Sequence, residues 1–465
     1  MFAKKGFLLG FIALAPYVCT FAVQVFFANK LSIVEVGIFA SINIFLSLLL
    51  AISNWNGDKL IISKQNVSNE QIDEIFTFEL FYCLGLYLVT LVFFQNTVNS
   101  VLGLENSSLF WIALGLFCCY NPLNRSRAIL EKNLSYFAAY SPLLIANVIG
   151  GILGVVLVFK GFGLWSMVAW KMSVYLLEII ILLFISPYRP KIRFSLNHIQ
   201  EFLSYCSPVI LGGALSFLVV NLDYIIVTSL MGERELGIYW LAFSLSHLLI
   251  IFRELIARFI LPLLAKEDFD EGKLLIFGKL NGVLQVLGVF SAIFITYWSE
   301  YVFKVIFTEK WIESVPIFIL LYYAALYKLI GGVSSSLLFS AMKTRIALNT
   351  SVVNLFILAP IIFIAIKYGG LIGAAAGVLI STILLTIYVF ETAVRQFCNL
   401  GFLYYFSYLS INIALLLFVY IFTIEVYDGI RVRTFYTFVS VLLAIITMPI
   451  NKVLKRIFGN NIKVV

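Results

Sequence analysis

The 465-residue sequence is 62% hydrophobic and only 12% charged, with a formal net charge of +8 and a mean hydropathy of +1.03. A soluble domain carries about 25% charged residues, so the composition excludes one and defines an integral membrane protein. The six cysteines (Cys19, Cys83, Cys118, Cys119, Cys206 and Cys398) lie mostly in apolar stretches without CxxC spacing. They read as small core residues rather than a disulfide or metal framework.

Lys4 and Lys5 precede an apolar run over 6–28. The run is too long for the core of a signal peptide and lacks a small-x-small cleavage site, so it reads as the first span. Crossing the hydrocarbon takes about 20 apolar residues. On that criterion helices are expected at 6–28, 36–53, 75–95, 108–127, 141–159, 164–185, 204–230, 238–260, 279–298, 314–340, 346–366, 371–393, 402–424 and 434–450. This is an all-α protein of about 14 transmembrane helices. The longest loops, 54–74, 186–203 and 261–278, are too short to fold as domains. Of the 32 Lys and Arg residues, 20 fall on the side of the N-terminus, 8 on the other side and 4 (Lys171, Arg253, Arg258 and Lys328) within spans. Positive loops face the cytoplasm, which places both termini there. The same asymmetry faces anionic headgroups, so the basic charge gives no reason to expect nucleic acid.

The chain also repeats itself. At an offset of 200, Glu35, Gly37, Ile38 and Phe39 match Glu235, Gly237, Ile238 and Tyr239. At 207, Lys160, Gly163, Leu164, Ala169 and Asn147 match Lys367, Gly370, Leu371, Ala376 and Asn354. Two related six-helix bundles follow, residues 1–200 and 201–395, with two additional helices and a cytoplasmic tail over 396–465. Transporters built from parallel repeats bind substrate between the halves near the midplane.

The stretch 221–262 carries Asp223, His247, Arg253, Glu254 and Arg258 inside apolar segments. Ionisable groups there are costly unless paired or facing water, and mark candidate sites. Lys171 and Asp223 each lie seven residues from the external end of their span, at matching depth, so the two can pair. Glu178 follows Lys171 by two turns on the same face, at the depth of Arg253 and Lys328. Two readings of this column of charge stay open: groups lining a water-filled cavity, or ion pairs that fix the bundle. Arg258, near the cytoplasmic end, either joins the column or snorkels. His247, alone among leucines, reads as a core residue rather than a proton relay. Asp268-Phe269-Asp270 has the spacing of a glycosyltransferase metal motif, but in a short acidic loop without a nucleotide-binding domain. No P-loop, zinc spacing or catalytic triad stands out, so neither an enzyme nor a cofactor or metal is expected.

Residues 161–194 (GFGLWSMVAWKMSVYLLEIIILLFISPYRPKIRF), 221–243 (NLDYIIVTSLMGERELGIYWLAF) with the later Pro262, and 31–40 (LSIVEVGIFA) resemble one family. It is the polysaccharide-export, Wzx-like branch of the multidrug/oligosaccharidyl-lipid/polysaccharide flippase superfamily, and the likeness extends over about residues 1–395. The resemblance implies a V-shaped pair of six-helix bundles. It also implies transport of an undecaprenyl-diphosphate-linked oligosaccharide, an O-antigen, capsule or exopolysaccharide unit, across the bacterial cytoplasmic (inner) membrane by alternating access. The implied partners are this lipid-linked substrate, membrane lipids, and the glycan polymerase or glycosyltransferases of the same pathway. Cavity cations hold the diphosphate in the family, which points to Lys171, Arg253 and Lys328 here, and Asp223 matches an acidic family position. The first two helices carry no interior Lys or Arg, a departure from some relatives. The competing readings are a multidrug or cation antiporter of the same superfamily, with Asp223 or Glu178 as its acidic site, and a membrane glycan polymerase or ligase.

Overall fold

The computed structural model describes residues 2–394, except 56, 64–66, 97–98, 100–107, 134, 194–198, 267–269 and 341–343, together with Ser440. The described residues are almost all helical. Seven stretches among them are long and apolar enough to cross a membrane, and Phe217–Met231 is a shorter apolar helix. The expected helices at 402–424 and 434–450 lie outside the described residues apart from Ser440, as do Asp268 and Phe269 of the acidic loop. Contacts group the chain into two compact units, Met1–Asn221 and Leu222–Val465.

In the first unit α1 (Phe2–Lys30) contains Pro16 without ending there, as transmembrane helices tolerate. The chain then turns at Ser32, which caps α2 (Ile33–Ser53). Ser32 Oγ accepts from the Glu35 amide at 3.2 Å, and the Ser32 amide donates to Glu35 Oε2 at 2.8 Å. This reciprocal pair satisfies two of the amides that a helix start leaves open. A short helix α3 (Gly57–Ser63) precedes α4 (Asn69–Val89), which is capped in the same way by Ser68 and Gln71 and continues as a π-turn over Thr90–Phe94.

The single helix expected over 108–127 is instead three: α5 (Ser108–Cys118), α6 (Tyr120–Leu123) and α7 (Arg125–Lys132). Pro122 supplies the reason. Its ring collides with the carbonyl four residues back and it has no amide to donate, and α5 ends at Cys118, four residues back. The break carries Arg125 and Arg127 onto a separate short helix that packs into the unit.

Helices α8 (Tyr136–Phe159) and α9 (Leu164–Ile185) are in close contact. Glycines make this possible, because a Cβ on Gly150 would lie 2.8 Å from Val174 Cγ2 and one on Gly154 would lie 2.8 Å from Trp170 Cβ. Without a hydrophobic drive between helices in lipid, such close backbone approach is what holds them.

A strap follows α9. The Tyr188 hydroxyl donates to Asp73 Oδ1 at 2.5 Å, the Lys191 amide donates to the same oxygen at 3.2 Å, and the Arg193 amide donates to Thr77 Oγ1 at 2.8 Å. Arg193 also pairs with Glu70 at 2.8 Å. Burial, then the hydrogen bond to Asp73, push the Tyr188 hydroxyl above its ordinary range, so the proton stays on it as donor. The segment after α9 is therefore bound to the start of α4 before the chain reaches α10 (Ile199–Met231).

The second unit takes in the end of α10 from Leu222, then α11 (Glu233–Lys266), α12 (Asp270–Ile306), α13 (Ser314–Ser340) and α14 (Thr344–Val394). The helices expected at 346–366 and 371–393 run together as α14 and part at Gly370, whose φ of 55° and ψ of −138° are not helical. Gly163, 207 residues earlier, starts α9 with φ 51° and ψ −130°. This backbone conformation is open to glycine and strained for other residues. The two glycines thus share one local backbone geometry. An added Cβ would lie 2.6 Å from Glu35 Oε1 at Gly163 and 3.5 Å from Met231 Cε at Gly370.

Candidate functional site

The second unit gathers four of the ionisable groups. Asp223, on α10, is 3% exposed. Its Oδ2 accepts from the Tyr239 hydroxyl at 2.7 Å and its Oδ1 from the Tyr224 amide at 2.9 Å. Tyr224 packs edge-on against Tyr239, 5.5 Å between centroids, and against Phe243 at 4.8 Å. Phe243 in turn stacks on the His247 ring at 5.5 Å and 25°. From α13, Lys328 lies within electrostatic reach of both Asp223 and Arg253, and Lys328 and Arg253 both act on His247. The stem of Arg253 packs where only glycine leaves room, its Cγ 2.6 Å from a Cβ placed on Gly332.

Helices α11 and α13 pack along their lengths. Ser314 Oγ donates to the Ile238 carbonyl at 3.1 Å, and Ser246 Oγ donates to the Ala242 carbonyl at 2.8 Å. Between them, with Val378 of α14, lies a small cavity lined by Phe243, Ser246, His247, Ile250, Leu321 and Lys328 among others. The chemistry of the site is that of two long cations against one well-hydrogen-bonded carboxylate. The Asp223 oxygens accept from Tyr239 and Tyr224, and the carboxylate also acts on Lys328. Arg is the better of the two for a bidentate grip on phosphate.

The first unit holds Lys171 and Glu178, both on α9. Glu178 is fully buried. It forms an ion pair with Arg127 and accepts from the Tyr120 hydroxyl at 2.8 Å. Arg127 also donates to the Ala139 carbonyl at 3.2 Å and lies over the Tyr140 ring. The Lys171 ammonium lies 5.5 Å from the centroid of Tyr175, which meets Phe117 and Tyr120 edge-on at 4.9 and 4.8 Å. Lys171 and Glu178 are therefore joined through an aromatic bridge, Tyr175 and Tyr120. The expected partner of Lys171 was Asp223; Lys171 and Asp223 each have contacts within their own unit. The side chains of Glu254 and Arg258 lie outside the described residues.

Sequence reasoning missed a second charged centre. Arg125, 3% exposed, donates from Nε to Glu79 Oε2 at 2.6 Å, makes a second contact to the other Glu79 oxygen, and reaches Asp58 at 3.3 Å. Gly57 is part of this fit, since a Cβ there would lie 2.9 Å from Glu79 Oε1. A signal was present: Glu79 stands inside the apolar run 75–95 and meets the same rule that singled out Glu178. Arg125 and Arg127 had been counted as loop charges on the N-terminal side. Here they are paired, and the charge bias keeps its sign without them.

Apolar helices of membrane-crossing length in both units, with buried ion pairs in the first and a cavity lined by Lys328 in the second, define a multi-pass helical membrane protein. The chain belongs to the family described as polysaccharide biosynthesis protein, whose model matches residues 28–316. Among curated relatives, the lipopolysaccharide biosynthesis protein WzxC of Escherichia coli (strain K12) is 27% identical over 202 residues, 43% of this chain and 41% of that one. A membrane protein in the cps region of Klebsiella pneumoniae is 23% identical over 326 residues, 69% of this chain and 67% of that one. The match to WzxC thus spans about two fifths of that relative's length. Among solved structures, the inward closed conformation of the lipid II flippase MurJ superposes with a TM-score of 0.72 at 16% identity, covering 97% of this chain and 99% of that one. An inward-facing multidrug transporter of the MATE family gives 0.59 at 14%, covering 84% and 94%. The structural likenesses show that the chain shares the all-helical fold of these two proteins. The two solved neighbours are named as a flippase and a transporter rather than enzymes, in agreement with the expectation that this chain is not one.

Proposed function

We propose that the protein is a flippase that carries an undecaprenyl-diphosphate-linked oligosaccharide across the bacterial cytoplasmic membrane by alternating access. In this reading 1–200 and 201–395 are the two repeats, and Arg253 and Lys328 hold the diphosphate. One observation carries it: Arg253 and Lys328 sit within reach of each other on the packed helices α11 and α13, beside a cavity, in an apolar interior. Cations in an apolar interior are expensive, and an anionic headgroup offers both of them charge-assisted bonds. Within the second unit Asp223 belongs to the same proposed site, and within the first Lys171 and Glu178 are further candidates for contact with substrate. The family and the name of WzxC support a role in polysaccharide assembly.

The test is surface glycan in cells, with membrane protein quantified alongside. Arg253→Ala and Lys328→Ala should lose most export at near-normal abundance, while Arg253→Lys keeps part of it. Full export by both alanine variants at normal levels sinks the site. The second reading, a multidrug or cation antiporter, draws on buried Asp223 and on the MATE likeness. It predicts that Asp223→Asn raises drug susceptibility and leaves surface glycan unchanged.

The same proposal places both termini in the cytoplasm. Single cysteines in a cysteine-free variant should then react with an impermeant thiol reagent in intact cells at 299–313 and stay unlabelled at 186–193. The opposite pattern inverts the orientation.

A further inference from the structure

His247 has a chemistry that a core position does not require. Its Nδ1 is buried and meets no hydrogen-bond partner among the described residues. An unpaired buried nitrogen costs free energy that a leucine at the same place would not. The ring is also held in plane by its stack on Phe243, so turning away from the mismatch is hindered. The same ring lines the cavity that Lys328 lines from α13. That cavity is narrow, suited to a group the size of one water molecule or one phosphoryl oxygen rather than a sugar ring. Among the described residues, the charges that act on His247 are the cations Lys328 and Arg253, while the Asp223 carboxylate accepts from Tyr239 and Tyr224. The local field therefore favours an anionic oxygen and repels a cationic drug.

We infer that His247 is a third binding residue for the phosphorylated headgroup. Its Nδ1–H donates to one anionic phosphoryl oxygen seated beside Lys328 in the cavity between α11 and α13. The inference rests on the diphosphate reading above and adds to it a neutral donor that fixes where one oxygen sits. Lys328 supplies charge from any direction, as an ammonium does. The imidazole supplies a direction, set by the Phe243 stack.

The experiment uses the full-length protein in phosphatidylcholine nanodiscs with inorganic pyrophosphate as probe. The chain has two histidines, His198 and His247, so His198→Gln with 15N-histidine labelling leaves one imidazole to observe. Pyrophosphate should shift the His247 Nδ1 resonance, saturating at the concentration where calorimetry shows binding. His247→Phe, which keeps the ring stack, should weaken pyrophosphate about tenfold, and His247→Asn, which keeps a donor, by less than about threefold. A static His247 resonance beside calorimetric binding that Lys328→Ala abolishes overturns this inference and leaves the diphosphate site standing. Absence of pyrophosphate binding, together with intact glycan export in the Arg253 and Lys328 alanine variants, overturns the diphosphate reading itself.

Discussion

Replacing Arg125 by alanine should cost about 3–5 kcal/mol of stability, the range for removing one partner of a buried ion pair. The mechanism is the charge left behind. Glu79 is fully buried, and its oxygens are held by the Arg125 guanidinium in a fork. Without that fork the carboxylate must either stay ionised in an apolar interior or take up a proton, and either way the link to Asp58 and α3 is lost. Removing both partners should be milder than removing Arg125 alone, because no orphaned charge remains. Membrane reference states can lower such values, since unfolded helices also find partners in lipid. Thermal unfolding in detergent and abundance in membranes measure the effect. Equal stability of Arg125→Ala and the native chain would falsify the assignment of this pair as a structural centre.

What the sequence carried and what it hid divide along a physical line. Features written into consecutive residues were legible. The apolar runs show this, because those at 36–53, 141–159 and 164–185 fall on the helices Ile33–Ser53, Tyr136–Phe159 and Leu164–Ile185. The matched φ and ψ of Gly163 and Gly370 emerge only in the structure. Partner choice was not legible, because it depends on which helix faces which. Lys171 and Glu178 were correctly placed on one helix two turns apart, yet nothing in that spacing names Tyr120 and Arg127 as the groups between and beyond them. Pro122 stood in plain view inside the single helix expected over 108–127. Its real effect, a break after Cys118, is what delivers Arg125 and Arg127 into the unit. His247 was read as core for its leucine neighbours; the orphaned nitrogen is visible only once the cavity is.

Alanine at Glu178 should be as damaging as alanine at Arg125, but the informative variant is a double one. Glu178 is fully buried, and its carboxylate is shared by Arg127 and the Tyr120 hydroxyl. If the carboxylate serves the fold, Glu178→Ala leaves the Arg127 cation without its anion, with the Ala139 carbonyl, the Tyr120 hydroxyl and the Tyr140 ring beside it, at a cost again of about 3–5 kcal/mol. Replacing the pair by Arg127→Met with Glu178→Met removes both charges, fills much of the same volume, and should recover most of that loss, as buried pairs exchanged for apolar residues often do. Export per molecule then decides the role. A structural Glu178 predicts that the double variant, once corrected for abundance, moves glycan at close to the native rate. A Glu178 that touches cargo or a coupling ion predicts the reverse, normal abundance with export gone, because methionine can neither accept a hydrogen bond from a sugar hydroxyl nor hold a proton. The geometry favours the first outcome, since both carboxylate oxygens already have partners within the unit.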